Sequence, residues 1–177
     1  MNSAVLAALL TATVTLAADA PSVPRAHVAN AEKVINQQLS ALYPDEPYFV
    51  LGLTRTIYLD GFGLVFSTEI NLAVGPTLSP FHPVISEAEK KNYRDKKMSR
   101  LPRLKTEMYS ILGSATTALQ SAPQNENVVL GVTLFRYPWE DAAGIPSVIV
   151  MQAPWSKLLE ARKKGASLES VVRVREY

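Results

Sequence analysis

The sequence predicts an α+β fold in which a mostly antiparallel sheet carries its helices on one face. Stretches with apolar residues at helical spacing are interspersed with stretches in which every second residue is apolar. Glycine-containing turns join strand-like stretches, and strands joined by tight turns run antiparallel. The predicted order of the elements is α-β-β-α-β-β-α-β.

The composition is typical of a soluble globular protein and excludes several classes. The chain has 177 residues, of which 47% are hydrophobic and 19% charged, with a formal net charge of +2 and no cysteine. Disordered chains have fewer apolar residues and a larger charge imbalance. Without cysteine there is no disulfide scaffold, thiolate metal site or cysteine nucleophile. The length suits one domain, which we assign to residues 21–177.

Residues 1–20 have the pattern of a secretory signal peptide. The apolar run from Ala4 to Ala18 contains threonine as its only polar residue type, and small residues follow it. The run is shorter than the roughly 20 apolar residues that span a bilayer, so we expect no stable transmembrane span. No lysine or arginine precedes the run, and the alternative is an alanine-rich helix that packs on the domain. The pattern favours export to the periplasm or out of the cell.

A β-hairpin is the clearest element in the sequence. It consists of the runs Tyr48–Asp60 and Gly63–Val74, and a register with Leu59 opposite Leu64 gives it one apolar and one polar face. Arg55 falls on the apolar face, so either its stem packs while its head reaches the sheet edge, or it pairs with a buried carboxylate. The predicted polar face contains Thr54, Thr56, Ser67, Glu69 and Asn71.

The remaining elements surround this hairpin along the chain. A first amphipathic helix is predicted before it, and a second helix starts after it at a capping box, Ser86 with Glu89, and breaks or restarts at Pro102. A charged edge strand is predicted at the end of the chain. The predicted ranges are a helix at 26–42, strands at 127–137 and 148–151, a short helix capped by Ser156 that stops at Gly165, and a strand at 171–177.

A dense run of positive charge marks the start of the second helix. Residues 90–105 contain eight of the 18 lysines and arginines of the chain. Such a run can bind nucleic acid, anionic lipid or acidic glycan, or it can be the solvated face of a helix. Export, a single aromatic residue in the run and the lack of a recognised motif disfavour nucleic acid. The candidate ligand-binding residues are Lys90, Lys91, Arg94, Lys97, Arg100 and Arg103 of this helix, with Glu69 and Asn71 of the hairpin.

His82 is the best candidate for a catalytic residue. It lies in a proline-rich loop between Pro80 and Pro83, where functional groups often lie. The other histidine, His27, belongs to a different element, and the two have no metal-ligand spacing. We therefore expect no metal. No GxSxG elbow supports a catalytic triad and no GxGxxG loop supports a phosphate-containing cofactor, so we expect no cofactor and favour binding over catalysis.

The hairpin sequence YLDGFGLVFSTEINL, the charged-then-apolar second helix and the ending SKLLEARKKGASLESVVRVREY resemble a group of exported bacterial proteins without an assigned activity. The resemblance covers residues 45–177 and implies no catalytic residue. The sequence therefore predicts a small exported binding or structural protein that acts through the polar hairpin face and the basic helix. An anionic envelope polymer or a protein is the expected partner. The alternative is a cell-envelope hydrolase that uses His82.

Overall fold

The computed structural model describes residues 23–81, 83–119 and 125–177, which form three α-helices and a mixed sheet of six strands. The predicted α+β class is confirmed, and the predicted order is close to the observed one. The first predicted strand is divided in two, and Gly52, with φ +97°, lies between its halves. The elements are α1 (Arg25–Leu39), β1 (Phe49–Val50), β2 (Arg55–Leu59), β3 (Gly63–Asn71), α2 (Glu87–Ala118), β4 (Asn127–Leu134), β5 (Val148–Pro154), α3 (Trp155–Lys163) and β6 (Arg173–Glu176).

The sheet has the strand order β1-β3-β4-β5-β6, and β2 pairs with β3. Four of its pairings are antiparallel, whereas β3 and β4 are parallel. Parallel neighbours need a crossover connection, and α2 provides it. Among the described strands, β1 and β2 pair with β3 alone and together form one edge of the sheet, and β6 forms the opposite edge.

All three helices pack on one face of the sheet, as predicted. Side chains from α1 and α2, including Ile35, Leu104 and Met108, share one core with the side chains of the strands that face them. On the opposite face no described helix packs, and the side chains of the central strands alternate between buried and more accessible positions. The fully buried strand residues include Phe66, Ile70, Val128, Leu130, Val132, Ile149 and Met151.

The second helix begins as predicted but does not break. Glu89 donates its backbone N–H to the Ser86 hydroxyl at 3.3 Å, and the Ser86 N–H donates to the Glu89 carboxylate at 2.8 Å. The helix then continues for 32 residues through Pro102, so the predicted break there is wrong. An interior proline costs about 3 kcal/mol, but Leu101 and Leu104 are buried on both sides of it. Packing against the sheet therefore offsets the lost backbone hydrogen bond.

The β2–β3 hairpin differs from its predicted register by one residue. Leu59 lies opposite Gly63 and not opposite Leu64, because the turn contains the three residues 60–62. A Cβ at Gly63 would lie 2.0 Å from the backbone oxygen of Asn127, so glycine is required at this position. Since alternate residues of a strand face opposite sides, the shift turns the apolar side chains of β2 away from the helices.

The prediction that the polar residues of the hairpin form one surface is therefore wrong. Next to α1, the Thr54 hydroxyl donates to the Asn36 side-chain oxygen at 2.8 Å, and the Thr56 hydroxyl donates to the Glu32 carboxylate at 2.6 Å. Glu69 of β3 lies on the opposite face of the sheet, in register with the outward positions of β4. The polar residues of β2 and of the residue before it thus contact α1, whereas Glu69 of β3 lies on the face of the sheet without described helices.

Candidate binding cleft

A cleft of about 340 Å³ opens where the first turns of α2 meet the connection between β4 and β5. We call it the Trp139 cleft. It brings together three of the sequence-predicted ligand-binding residues, Lys90, Lys91 and Arg94, with a tryptophan from the connection. Its lining consists of Glu87, Lys90, Lys91 and Arg94 of α2 and of Pro138, Trp139, Glu140 and Asp141 of the connection.

Aromatic contacts fix the position of the Trp139 indole. The ring stacks on Tyr137, with the centroids 4.9 Å apart and the planes at 10°. Tyr93 of α2 meets the indole at 5.2 Å and 60°, and Phe135 meets Tyr137 edge-on at 4.9 Å. Contacts of this kind contribute about 0.5–1.5 kcal/mol each beyond the area that they bury. The half-buried indole is therefore a rigid wall of the cleft.

A buried ion pair holds the connection against α2. The Lys97 ammonium lies 2.6 Å from the Glu140 carboxylate, and neither side chain is exposed. The ammonium also donates to the Phe135 carbonyl at 2.7 Å, and the Glu140 carboxylate accepts from the Tyr137 N–H at 3.3 Å. Burial lowers the pKa of Lys97 from its usual value, although Glu140 opposes this by favouring the charged form. A charge in this position fixes the backbone that carries Trp139.

The rim of the cleft contains exposed ion pairs. The Lys90 ammonium lies 2.7 Å from the Glu87 carboxylate, and the Lys91 ammonium lies 2.6 Å from the Asp95 carboxylate. Exposed pairs of this kind contribute at most about 1 kcal/mol, because water screens both charges. A bound anion can therefore replace either carboxylate at small cost.

Arg94 links the rim to the connection in a different way. Its Nη2 donates to the Ala143 carbonyl at 2.6 Å, and its Nε lies 3.5 Å from the Asp141 carboxylate. Arg94 therefore positions the outer part of the connection, while Lys90 and Lys91 keep their ammonium groups at the rim.

Two of the predicted ligand-binding bases are buried, which corrects the expectation of an exposed basic helix. Lys97 belongs to the ion pair beneath the cleft. Arg100 donates to the Pro47 carbonyl at 3.0 Å, to the Leu72 carbonyl and to the Glu46 carboxylate. Both side chains therefore bind other parts of the chain, because the helix face on which they lie is packed against the protein.

The other three predicted residues lie outside the cleft lining. The Arg103 guanidinium lies 5.3 Å from the centre of the Tyr43 ring. Glu69 is half-buried on the sheet face without described helices. Asn71 is buried and accepts a hydrogen bond from the Tyr93 hydroxyl at 2.8 Å, and burial raises the pKa of Tyr93. Asn71 thus positions an aromatic neighbour of the Trp139 indole.

His82 and residues 1–20 lie outside the described residues, so the structure provides no geometry for the hydrolase alternative or for the predicted signal peptide. Within the described ranges, no three histidine, aspartate or glutamate side chains are grouped so that they could hold a metal ion. None of the described helices is long and apolar enough to cross a membrane.

The aromatic wall of the cleft was not among the sequence-predicted binding residues. The sequence nevertheless contains a pattern that indicates this wall. Phe135, Tyr137 and Trp139 follow β4 at every second position, and their rings contact one another in series. Alternating aromatic residues that continue past the end of a strand can stack in this way.

A scan against protein-family models and searches of curated proteins and of solved structures gave no match to this chain.

Proposed function

We propose that the protein is an exported binding protein that holds an acidic saccharide in the Trp139 cleft. The observation that carries this proposal is that a rigid, half-buried indole and the two lysines Lys90 and Lys91 line the same cleft. A sugar ring has an apolar C–H face that can pack on an indole, and a rim of hydroxyls that need hydrogen-bonding partners. A carboxylate on the sugar adds a partner for Lys90 or Lys91.

The size and polarity of the cleft agree with such a ligand. Small-molecule sites usually have volumes of about 300–1,000 Å³, and this cleft has about 340 Å³. The carboxylates of Glu87 and Asp141 can accept hydrogen bonds from sugar hydroxyls, while the lysine ammonium groups donate. Since each exposed ion pair at the rim is weak, ligand binding need not break a strong internal contact.

The arrangement supports binding more than catalysis. Glycoside hydrolysis needs two carboxyl groups with different protonation states on opposite sides of the scissile bond. The Glu140 side chain is fully buried and paired with Lys97, so it is not available for proton transfer to a ligand. The Asp141 carboxylate is exposed and lies 3.5 Å from the Arg94 Nε, which suits a role in ligand positioning.

The test uses the fluorescence of Trp139. The chain has two tryptophans, so a Trp155→Phe variant leaves the cleft indole as the only one. Titration with oligogalacturonate should give a saturable change in emission, and the neutral oligosaccharide of the same length should bind more weakly. Trp139→Ala should abolish binding as measured by calorimetry. The proposal is wrong if a panel of acidic saccharides gives no saturable change, or if Trp139→Ala binds as tightly as the parent protein.

A matched pair of lysines separates a specific site from general charge attraction. Lys91 and Lys164 are both exposed and form i,i+4 pairs of 2.6 and 2.7 Å with a carboxylate, but Lys164 lies outside the cleft. Lys91→Ala should weaken oligogalacturonate binding several-fold, by an amount that decreases with salt. Lys164→Ala should leave it unchanged. Equal losses in both variants would indicate that net charge alone attracts the ligand.

Export is part of the same proposal and is supported by the sequence pattern of residues 1–20. The mass of the intact protein recovered from the envelope fraction of its native host tests it. A loss of residues 1–17 or 1–20 is the expected result. A cytosolic protein with its full N-terminus would contradict export and would direct the ligand search to intracellular anions.

A further inference from the structure

Exposed apolar side chains lie along the margin of the sheet at β2. Ile57 and Leu59 alternate with Thr56, whose hydroxyl donates to Glu32 of α1, so their side chains face away from the helices. Ile57 is 59% exposed and Leu59 46%, and Leu53, just before the strand, is 77% exposed. Single exposed apolar residues are ordinary, but a group of them marks an interaction surface. We call Leu53, Ile57 and Leu59 the apolar row.

Three arginines lie on the same face of the sheet as the apolar row. Arg55 belongs to β2 itself, and Arg173 and Arg175 of β6 alternate with Val174, which packs against the core. None of the three forms an ion pair with a described carboxylate. Among the outward positions of the described strands, Glu69 is the only acidic residue. This face therefore carries an excess of positive charge.

We propose that this face rests on an anionic lipid surface, with the apolar row at the boundary between headgroups and acyl chains. Apolar side chains at a membrane surface reach about 5–10 Å into this boundary, and anionic lipids add electrostatic attraction. Arg55, in the middle of the row, then binds a lipid phosphate. The backbone of the strand stays in the hydrated headgroup layer, because a sheet edge is not stable within hydrocarbon.

Charge and layout favour lipid over a protein partner. A second copy would present the same excess of arginine, and like charges across an interface repel. Protein interfaces have their apolar residues at the centre, whereas the apolar row lies at the margin of the sheet. Arg55 and the β6 arginines are four strand spacings apart, about 19 Å, a distance that a lipid surface covers. The face has no residue in common with the Trp139 cleft, so the proposal is independent of the proposed function.

The first experiment measures cosedimentation of the full-length protein with vesicles of phosphatidylglycerol and phosphatidylcholine. Leu53→Asp removes an inserted side chain and adds negative charge, so it should weaken binding about tenfold or more. Val84→Asp is the matched control, because Val84 is 72% exposed but lies in the connection between β3 and α2, and it should have no effect. Arg55→Gln should weaken binding about fivefold, but leave binding to pure phosphatidylcholine unchanged. Circular dichroism confirms that the variants are folded.

The absence of cysteine allows a second test that reports on position. Leu53→Cys and Val84→Cys each provide a single thiol, which is labelled with the polarity-sensitive fluorophore nitrobenzoxadiazole. The label at Leu53 should become brighter and shift to shorter wavelength when the same vesicles are added, because it enters a less polar layer. The label at Val84 should not change. This comparison distinguishes insertion of the apolar row from membrane binding by another part of the chain.

Three outcomes would overturn the proposal. A wild-type protein that does not cosediment with the anionic vesicles at low salt excludes the lipid surface. Equal losses in Leu53→Asp and Val84→Asp, or a label at Leu53 that does not respond while the protein cosediments, assign the membrane contact to another part of the chain. A dimer in light scattering that Leu53→Asp dissociates, without vesicle binding, assigns the apolar row to a second copy of the chain.

Discussion

The two edges of the sheet are built differently. The β6 edge contains Arg173, Arg175 and Glu176 in a strand of four residues, and charged side chains of this density discourage the approach of another strand. The β2 edge has Arg55 as its single charge, and its exposed side chains are otherwise aliphatic. The comparison shows that charged side chains protect the β6 edge from pairing, whereas β2 has a single charged side chain.

The two edges also differ in how they are attached to α2. Near β1 and β2, the Arg100 guanidinium donates hydrogen bonds to two backbone carbonyls. One belongs to Pro47, before β1, and the other to Leu72, directly after β3. The hydrogen bond of Arg100 to Glu46 lowers the pKa of that carboxyl. Near β6, the attachment is the ion pair of Lys105 with Glu176 at 2.6 Å, in which both side chains are more than a third exposed, at 35% and 38%.

The largest expected effect is the loss of the buried attachment. Arg100→Ala should lower the free energy of unfolding by roughly 3 kcal/mol or more, because two carbonyl oxygens lose a charged donor and buried groups without partners are costly. Urea denaturation followed by circular dichroism measures this change. Stability within about 1 kcal/mol of the wild type would show that water replaces the guanidinium and that Arg100 is not a structural anchor.

The matched change at the opposite edge is Lys105→Ala. Since water screens the ion pair with Glu176, its removal should cost less than about 1 kcal/mol in the same denaturation experiment. Equal losses in the two variants would contradict the distinction between a buried and an exposed attachment.

The β2 edge also shows how far the sequence determines the fold. The predicted core face of β3, with Leu64, Phe66 and Ile70, is buried as expected. The same alternation placed Ile57 in the core, but it is exposed. The turn has one residue fewer than predicted, and α1 presents polar groups to β2 in place of an apolar face. The alternation of apolar residues within a strand does not show whether the helix face that packs on it is apolar or polar.

The candidate site was predictable in part. The density of lysine and arginine led to Lys90 and Lys91, which line the Trp139 cleft. Charge density alone does not distinguish these two residues from Lys97 and Arg100, which are buried. Helical spacing could have done so, because these two positions extend the apolar stripe that includes Leu104 towards the start of the helix. The partner of Lys97, at Glu140, is distant in sequence and has no local signal.

The attachment beside β1 and β2 should also depend on pH. Tyr43 lies beside Arg100 and donates its hydroxyl to the Arg100 carbonyl at 2.7 Å. Burial raises the pKa of Tyr43 to about 12, although Arg100 and Arg103 partly oppose this. Because the pKa in the folded protein exceeds the usual tyrosine value of 10.0, the unfolded chain loses this proton first. The stabilisation is therefore complete below pH 10 and is lost as the pH rises through about 12.

At pH 12 the loss should reach roughly 2 kcal/mol relative to pH 8. Tyr43→Phe should lower stability by about 1 kcal/mol at pH 8, since one hydrogen bond is removed, but it should give a shallower decline between pH 10 and 12. Burial lowers the pKa of Lys97, and its contribution rises with pH in the alkaline range. The Lys97 contribution is the same in the wild type and in Tyr43→Phe, so the difference between their stabilities, measured by urea denaturation at each pH, isolates the contribution of Tyr43.

Tyr177, 63% exposed at the β6 edge, supplies the control variant Tyr177→Phe, whose stability should decline between pH 10 and 12 as steeply as that of the wild type. Parallel curves for the wild type and Tyr43→Phe would show that the phenol is hydrated, and that the attachment beside β1 and β2 is as open to water as the one beside β6.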